Sequence, residues 1–136
     1  MDAAVAMTAD YLKVRIQFGR PLADFQALQH AVAEIFVEAA GARAMLYQAL
    51  GALDTDAGRR RRAVAGCAVK VMEAARNVFG AAVHLHGGIG VTCEYPVGHY
   101  LRRALVAERL LGDGEFHLQT YLDARGEAAA VADAAA

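Results

Sequence analysis

FQALQHAVAEIFVEAAGARAMLYQALGAL, residues 25 to 53, contains no proline and places Leu28, Val32, Ile35, Ala39, Ala42, Leu46, Leu50 and Leu53 at steps of three and four. That spacing is the period of a helix with one apolar face. Sustained over the whole stretch it spans about 40 Å at 1.5 Å per residue, which is the length of a bundle helix. Asp54-Thr-Asp-Ala-Gly58 is the expected turn. A third helix, about Arg59 to Leu85, repeats the pattern with Val64, Cys67, Val71, Ala74, Val78, Ala82 and Leu85. Its first turn carries Arg59 to Arg62 in a row, and a helix N-terminus disfavours cations. The run therefore points to acids on a neighbouring domain or subunit, or to a solvated end.

Upstream, Ala4, Met7, Tyr11 and Val14 predict a first helix over about Asp2 to Gln17. Gly19 and Pro21 break it, and Asp24 is placed to N-cap the second helix. Downstream, Pro96 opens a helix over about Val97 to Leu111 bearing Leu101, Ala104, Leu105, Glu108 and Leu111, and Gly112-Asp-Gly114 closes it. A short segment from Glu115 to about Ala124 returns to helical spacing. The expected fold is all-α: an up-and-down four-helix bundle with a short C-terminal helical extension over residues 1–126, then a flexible alanine-rich tail over 127–136.

Composition narrows function by exclusion. Of 136 residues, fourteen are basic and fifteen acidic, a formal charge of −1, so nothing draws the chain electrostatically to nucleic acid or an anionic membrane. No apolar run has the roughly 18 residues of a membrane span, and the N-terminus lacks the order of a secretory signal. Two cysteines, Cys67 and Cys93, match no zinc or redox spacing and read as free thiols in a reducing compartment, the cytoplasm. His30, His99 and His117 are too scattered for a metal site. The alanine-rich faces exceed what one four-helix core can cover, so self-association is expected. A helix that opens at the first residue suggests one domain of a larger enzyme, or a short subunit with a partner chain.

Between the third and fourth helices lies His84-Leu-His-Gly-Gly-Ile-Gly-Val-Thr-Cys-Glu-Tyr-Pro-Val97. Gly87 and Gly88 can end a helix at its C′ position, and glycines also let another molecule approach the backbone. A dinucleotide fingerprint is a poor account, since the third glycine and the preceding βα unit are missing. Two segments together carry a resemblance. Tyr11-Leu-Lys-Val-Arg-Ile-Gln-Phe-Gly-Arg-Pro-Leu-Ala-Asp-Phe-Gln26 resembles the Y-x-x-x-R-x-Q-F-G-x-P segment of acyl-CoA dehydrogenases, and His84 to Arg103 resembles their G-G-x-G segment running into Y-P-V. The resemblance covers the chain to about Arg125 and corresponds to that family's C-terminal helical domain.

The resemblance implies a flavoenzyme that oxidises the Cα–Cβ bond of an acyl-CoA thioester, with FAD as cofactor and an electron-transfer flavoprotein as electron acceptor. It implies that these domains form an oligomer core and grip FAD across a subunit interface. Arg15 would meet the FAD pyrophosphate, with a guanidinium fork suited to phosphate oxygens. Gln17 and Phe18 would lie along the same cofactor, and Gln26 at its adenosine. His84, where many members have glutamine, would contact FAD, and Gly87 and Gly88 would bring backbone amides near the diphosphate or ribityl region. His86 reads as a packing or turn residue.

The resemblance also implies a gap. Leu111 stands where many members carry their catalytic glutamate, and leucine accepts no proton, so no catalytic residue is assigned. Asp113 and Glu115 lie close but out of register. Three accounts stay open: a base on a helix preceding this region, as in isovaleryl-type members; a partner subunit that supplies it, as in actinobacterial steroid-degrading enzymes; or a helical interaction module that has kept only assembly.

Overall fold

The computed structural model describes residues 1–134, and its order is α1 (Asp2–Val14), β1 (Ile16–Gln17), β2 (Arg20–Pro21), a 3₁₀ turn (Leu22–Asp24), α2 (Gln26–Gly51), α3 (Ala57–His86), α4 (Gly88–Val91), α5 (Val97–Leu111) and α6 (Gly114–Ala134). The fold is all-α apart from one two-stranded ribbon. At 30 residues α3 is the axis: α2 and α6 pack along it, and α1 and α5 cover its C-terminal half. The buried cluster joins Ala4 and Val5 of α1, Ile35 and Ala39 of α2, Val78, Phe79, Ala82 and Leu85 of α3, and Val97 of α5. Alanines at the crossings let the helix backbones approach, while the larger side chains fill the spaces between turns.

Local chemistry sets the helix ends. Asp56 accepts the Arg59 N–H at 2.9 Å and caps α3, and that backbone bond holds its carboxyl below the ordinary aspartate range. Asp113 caps α6 in the same way through the Phe116 N–H. Arg60 donates to the carbonyls of Leu53 (3.1 Å) and Thr55 (3.2 Å), just past the end of α2. The sequence objection to cations in this run is met for Arg60, because its charge sits at the favourable C-terminal end of a different helix.

Several expectations need correction. α1 stops at Val14, three residues early, because Phe18 (φ 55°) and Gly19 (φ 80°) form the two-residue, positive-φ turn of a tight hairpin, with Ile16 opposite Pro21 and Gln17 opposite Arg20. Its inward face is Ala4, Val5, Thr8 and Leu12, so Val14 lies outside. Asp24 caps nothing; Phe25 occupies the N-cap of α2 without a side-chain bond. On α2 the predicted stripe holds through Ala42 and then leaves the core: Leu46, Leu50 and Leu53 are exposed, while Ala49 and Ala52 are buried. Two successive steps of four, Ala42 to Leu46 to Leu50, carry a residue about 80° round the helix, whereas Ala42 to Ala49 drifts by only about 20°. The C-terminal segment is a 21-residue helix packed on α3, longer than the expected extension. It continues to Ala134 without a break at residue 126, and the last two residues of the expected tail lie outside the described residues. No helix among the described residues is long and apolar enough to cross a membrane.

Candidate functional site

The two sequence segments meet at one end of the bundle through an aromatic stack. Tyr11, in the last turn of α1, stacks on His86 at the end of α3, ring centroids 4.5 Å apart and planes inclined by 27°. Tyr95, beyond the glycine turn, closes on His86 from 4.8 Å and on Tyr11 from 6.0 Å. His86 is buried, and its Nδ1 donates to the Ala82 carbonyl at 2.7 Å. Nε2 is buried between the two tyrosines with no hydrogen-bond partner among the described residues. The hairpin that begins at Arg15 and the turn at Gly87 are therefore held together by residues between them. The sequence marks Tyr11 as a helix-face position and both tyrosines as members of the two motif segments, but not their stacking on His86.

The predicted contact residues are exposed, and Arg15 and Gly87 adjoin the stack along the chain. Arg15 is exposed as the C-cap of α1, its N–H bonded to the Tyr11 carbonyl, and its guanidinium makes no ion pair among the described residues. Gln17 is exposed and donates to the Ile16 carbonyl. Phe18 is 88% exposed, held at positive φ, and touches the Phe25 ring edge-on at 6.1 Å. The Arg20 guanidinium lies over the Phe25 ring, 4.1 Å from its centroid. A large apolar ring displayed in a strained backbone conformation is a costly arrangement for water alone. Gln26 and His84 are exposed, each at the end of its helix that faces this edge.

The three glycines of the turn do different work. Gly87 has φ 63° and ψ −141°, a conformation that belongs to glycine. Gly90 is packed: a Cβ there would sit 2.5 Å from the Val83 carbonyl oxygen. Gly88 is neither, since its φ is ordinary and a Cβ would meet nothing within 4 Å. Open space over Gly87 and Gly88 lets a ligand reach the backbone, and the Gly88 and Ile89 amides donate to no backbone carbonyl among the described residues. A free guanidinium, two free amides and an exposed aromatic ring fit a group carrying phosphates and a flat ring system. The larger concavities described lie elsewhere, so this is an open edge that needs further surface to enclose a ligand.

At the other suspected site Asp113 and Glu108 are engaged and Glu115 is not. Leu111 is exposed, and its carbonyl accepts His117 Nε2 at 3.0 Å. Asp113 is the α6 cap and Glu115 faces solvent. One turn before Leu111, Glu108 is buried and gripped by both Nε and Nη2 of Arg76, which raises the arginine's proton affinity further. Sequence reading counted Glu108 among core-facing positions but had no sign of its partner 32 residues away.

The acyl-CoA dehydrogenase C-terminal domain profile matches residues 1–124. Acyl-CoA dehydrogenase IpdE2 of Mycolicibacterium smegmatis is 37% identical over 106 residues, covering 78% of this chain and 32% of its own length. Among solved structures, the Tcur3481-Tcur3483 steroid ACAD superposes with a TM-score of 0.87 at 38% identity, covering 95% of this chain and 36% of its own. The ChsE4-ChsE5 complex from Mycobacterium tuberculosis superposes at 0.79 with 33% identity, covering 87% and 32%. The chain spans about a third of the length of the curated relatives it matches. With the two motif segments brought to one edge of the bundle, the chain belongs to the acyl-CoA dehydrogenases, a family of FAD-dependent flavoproteins, and corresponds to their C-terminal domain.

Proposed function

We propose that this chain serves α,β-dehydrogenation of an acyl-CoA thioester as the C-terminal helical domain of the enzyme, supplying FAD contacts and subunit interface. The observation that carries the reading is the convergence of Arg15, Phe18 and the open Gly87-Gly88 backbone around the Tyr11–His86–Tyr95 stack. FAD, when bound, takes up the hydride that leaves the substrate's β-carbon. Arg15 would hold the diphosphate, the Gly88 and Ile89 amides would approach it, Gln17 and Phe18 would lie along the cofactor, and Gln26 and His84 would flank it. An electron-transfer flavoprotein receives the electrons from the complete enzyme, and the setting is the reducing cytoplasm that two free thiols suit.

We assign removal of the α-proton to a group outside this chain, because Leu111 cannot accept it, Asp113 is committed to a helix end and Glu115 is out of register with the expected position. Exposed Phe36, Val37, Tyr47 and Leu50 along α2 favour burial against a second copy or a partner dehydrogenase subunit. The same exposed surface, with the missing base, supports the alternative of a non-catalytic interaction module. Isolated chain, FAD, an acyl-CoA series and an artificial electron acceptor should give no turnover; robust turnover refutes the assignment of the base elsewhere. In the complete assembly Arg15→Ala should abolish flavin uptake, and unchanged yellow colour refutes the FAD reading in favour of the interaction module.

A further inference from the structure

The arginine run at the start of α3 divides into two pairs with different surroundings. Arg60 is tied to the carbonyls of Leu53 and Thr55, and Arg61 faces Glu127 at 3.6 Å. Arg59 and Arg62, three residues apart and thus on one face, instead line a cavity of about 480 Å³ between α2, α3 and α6. Neither has an ion-pair partner among the described residues. Met45 and Gln48 of α2 form one wall and Tyr121 of α6 another. The Tyr121 ring rests on the bare backbone of Gly66, where a Cβ would come within 3.3 Å of two ring carbons. A side chain there would press on the ring.

No carboxylate lines the concavity that the two guanidiniums share, although Asp56 at the α3 cap lies within electrostatic reach of Arg59, so an anion entering it meets two cations and one nearby acid. Rigid forks favour phosphate oxygens over a single carboxylate. The volume lies within the roughly 300–1,000 Å³ of small-molecule sites and exceeds what a bare phosphate fills. The remainder is walled by a thioether and an aromatic ring, which suit a flat organic body. We propose that this cavity binds a small organic phosphate of the nucleoside monophosphate class. It lies at the opposite end of α2 from Gln26, and 26 residues at 1.5 Å each separate the two ends by about 39 Å. The site is therefore independent of the proposed FAD edge.

The test is calorimetric titration of the full 136-residue chain with AMP, inorganic phosphate and adenosine. AMP should bind saturably at one per chain and more tightly than either of its parts. Arg59→Gln and Arg62→Gln should each weaken AMP roughly tenfold or more, as loss of a charge-assisted bond requires. Arg61→Gln removes the same charge from the same run but points away, and should change AMP affinity by no more than about twofold. Absence of saturable AMP binding overturns the proposal, as does equal weakening by Arg61→Gln, which marks nonspecific attraction. Loss on Arg15→Ala with Arg59→Gln unchanged also overturns it, by placing the nucleotide at the other end of the bundle.

Discussion

Alanine substitution at Gly87 and Gly88 separates backbone conformation from space at adjacent positions. Neither site has an atom within 4 Å of an added Cβ, so packing contributes nothing to the comparison. What differs is the backbone: Gly87 has φ 63° and ψ −141°, while Gly88 begins α4 with ordinary φ. Holding alanine in the Gly87 conformation costs ~1–3 kcal/mol. The more restricted unfolded chain returns ~0.4–1 kcal/mol, leaving a net loss of ~1–2 kcal/mol. For a domain of this size that lowers the melting midpoint by roughly 3–8 °C. Gly88→Ala should stay within ~0.5 kcal/mol of the parent. Gly90→Ala, whose Cβ would meet the Val83 carbonyl at 2.5 Å and His86 Cβ at 3.0 Å, should lose ~1–3 kcal/mol through overpacking. Urea unfolding followed by far-ultraviolet circular dichroism reads all three, provided the slope m is unchanged between variants. A Gly88→Ala variant as unstable as Gly87→Ala, or a neutral Gly87→Ala, would refute the division of labour in this turn. With stability preserved, Gly88→Ala also becomes the clean variant for testing ligand approach.

Two further outcomes follow from charged groups at helix ends and in the interior. Asp56 has a folded-state pKa below its ordinary value, so its cap stabilises the fold above about pH 4 and is lost as pH falls through the lowered folded value. Asp56→Asn keeps an acceptor for the Arg59 N–H and should flatten this part of the acid profile in thermal melts from pH 5 to 3, whereas Asp56→Ala should melt lower throughout; identical acid profiles for Asn and Asp count against the cap. Arg76→Met leaves the buried Glu108 carboxylate without its counter-charge and should lower the melting midpoint by several degrees, with much of the loss recovered in the double variant Arg76→Met/Glu108→Leu. Additive losses would show that the pair does not act as a unit.

α5 was legible to the residue, Val97 to Leu111, because Pro96 and Gly112 are local signals whose φ preferences act on their immediate neighbours. The break at Gly87 was legible for the same reason, the turn expected at Asp54–Gly58 overlaps the observed break although Ala57 and Gly58 already belong to α3, and the all-α class was legible since helical spacing repeats within each segment. The two motif segments sufficed to identify the family, as the domain match over residues 1–124 bears out. Where α1 ends was misread: a phenylalanine at positive φ is not a local preference of Phe18, and it is held by the hairpin and by Phe25.

Tertiary structure decided where the inward side departs from the apolar period, as on α2 beyond Ala42. Leu46, Leu50 and Leu53 are more hydrophobic than Ala49 and Ala52, yet the alanines are buried, because rotation of α2 is set by its fit to α3 and not by side-chain hydrophobicity one residue at a time. Packing also gave identical arginines different tasks, sending Arg60 to the end of α2, Arg61 toward α6, and Arg59 and Arg62 into a cavity. It brought Arg76 to Glu108 across 32 residues and set His86 between Tyr11 and Tyr95. Sequence determined the helices and their breaks because capping, φ preference and apolar period are properties of short segments. Contacts between distant segments depend on the relative rotation and offset of whole helices, which only the folded packing supplies.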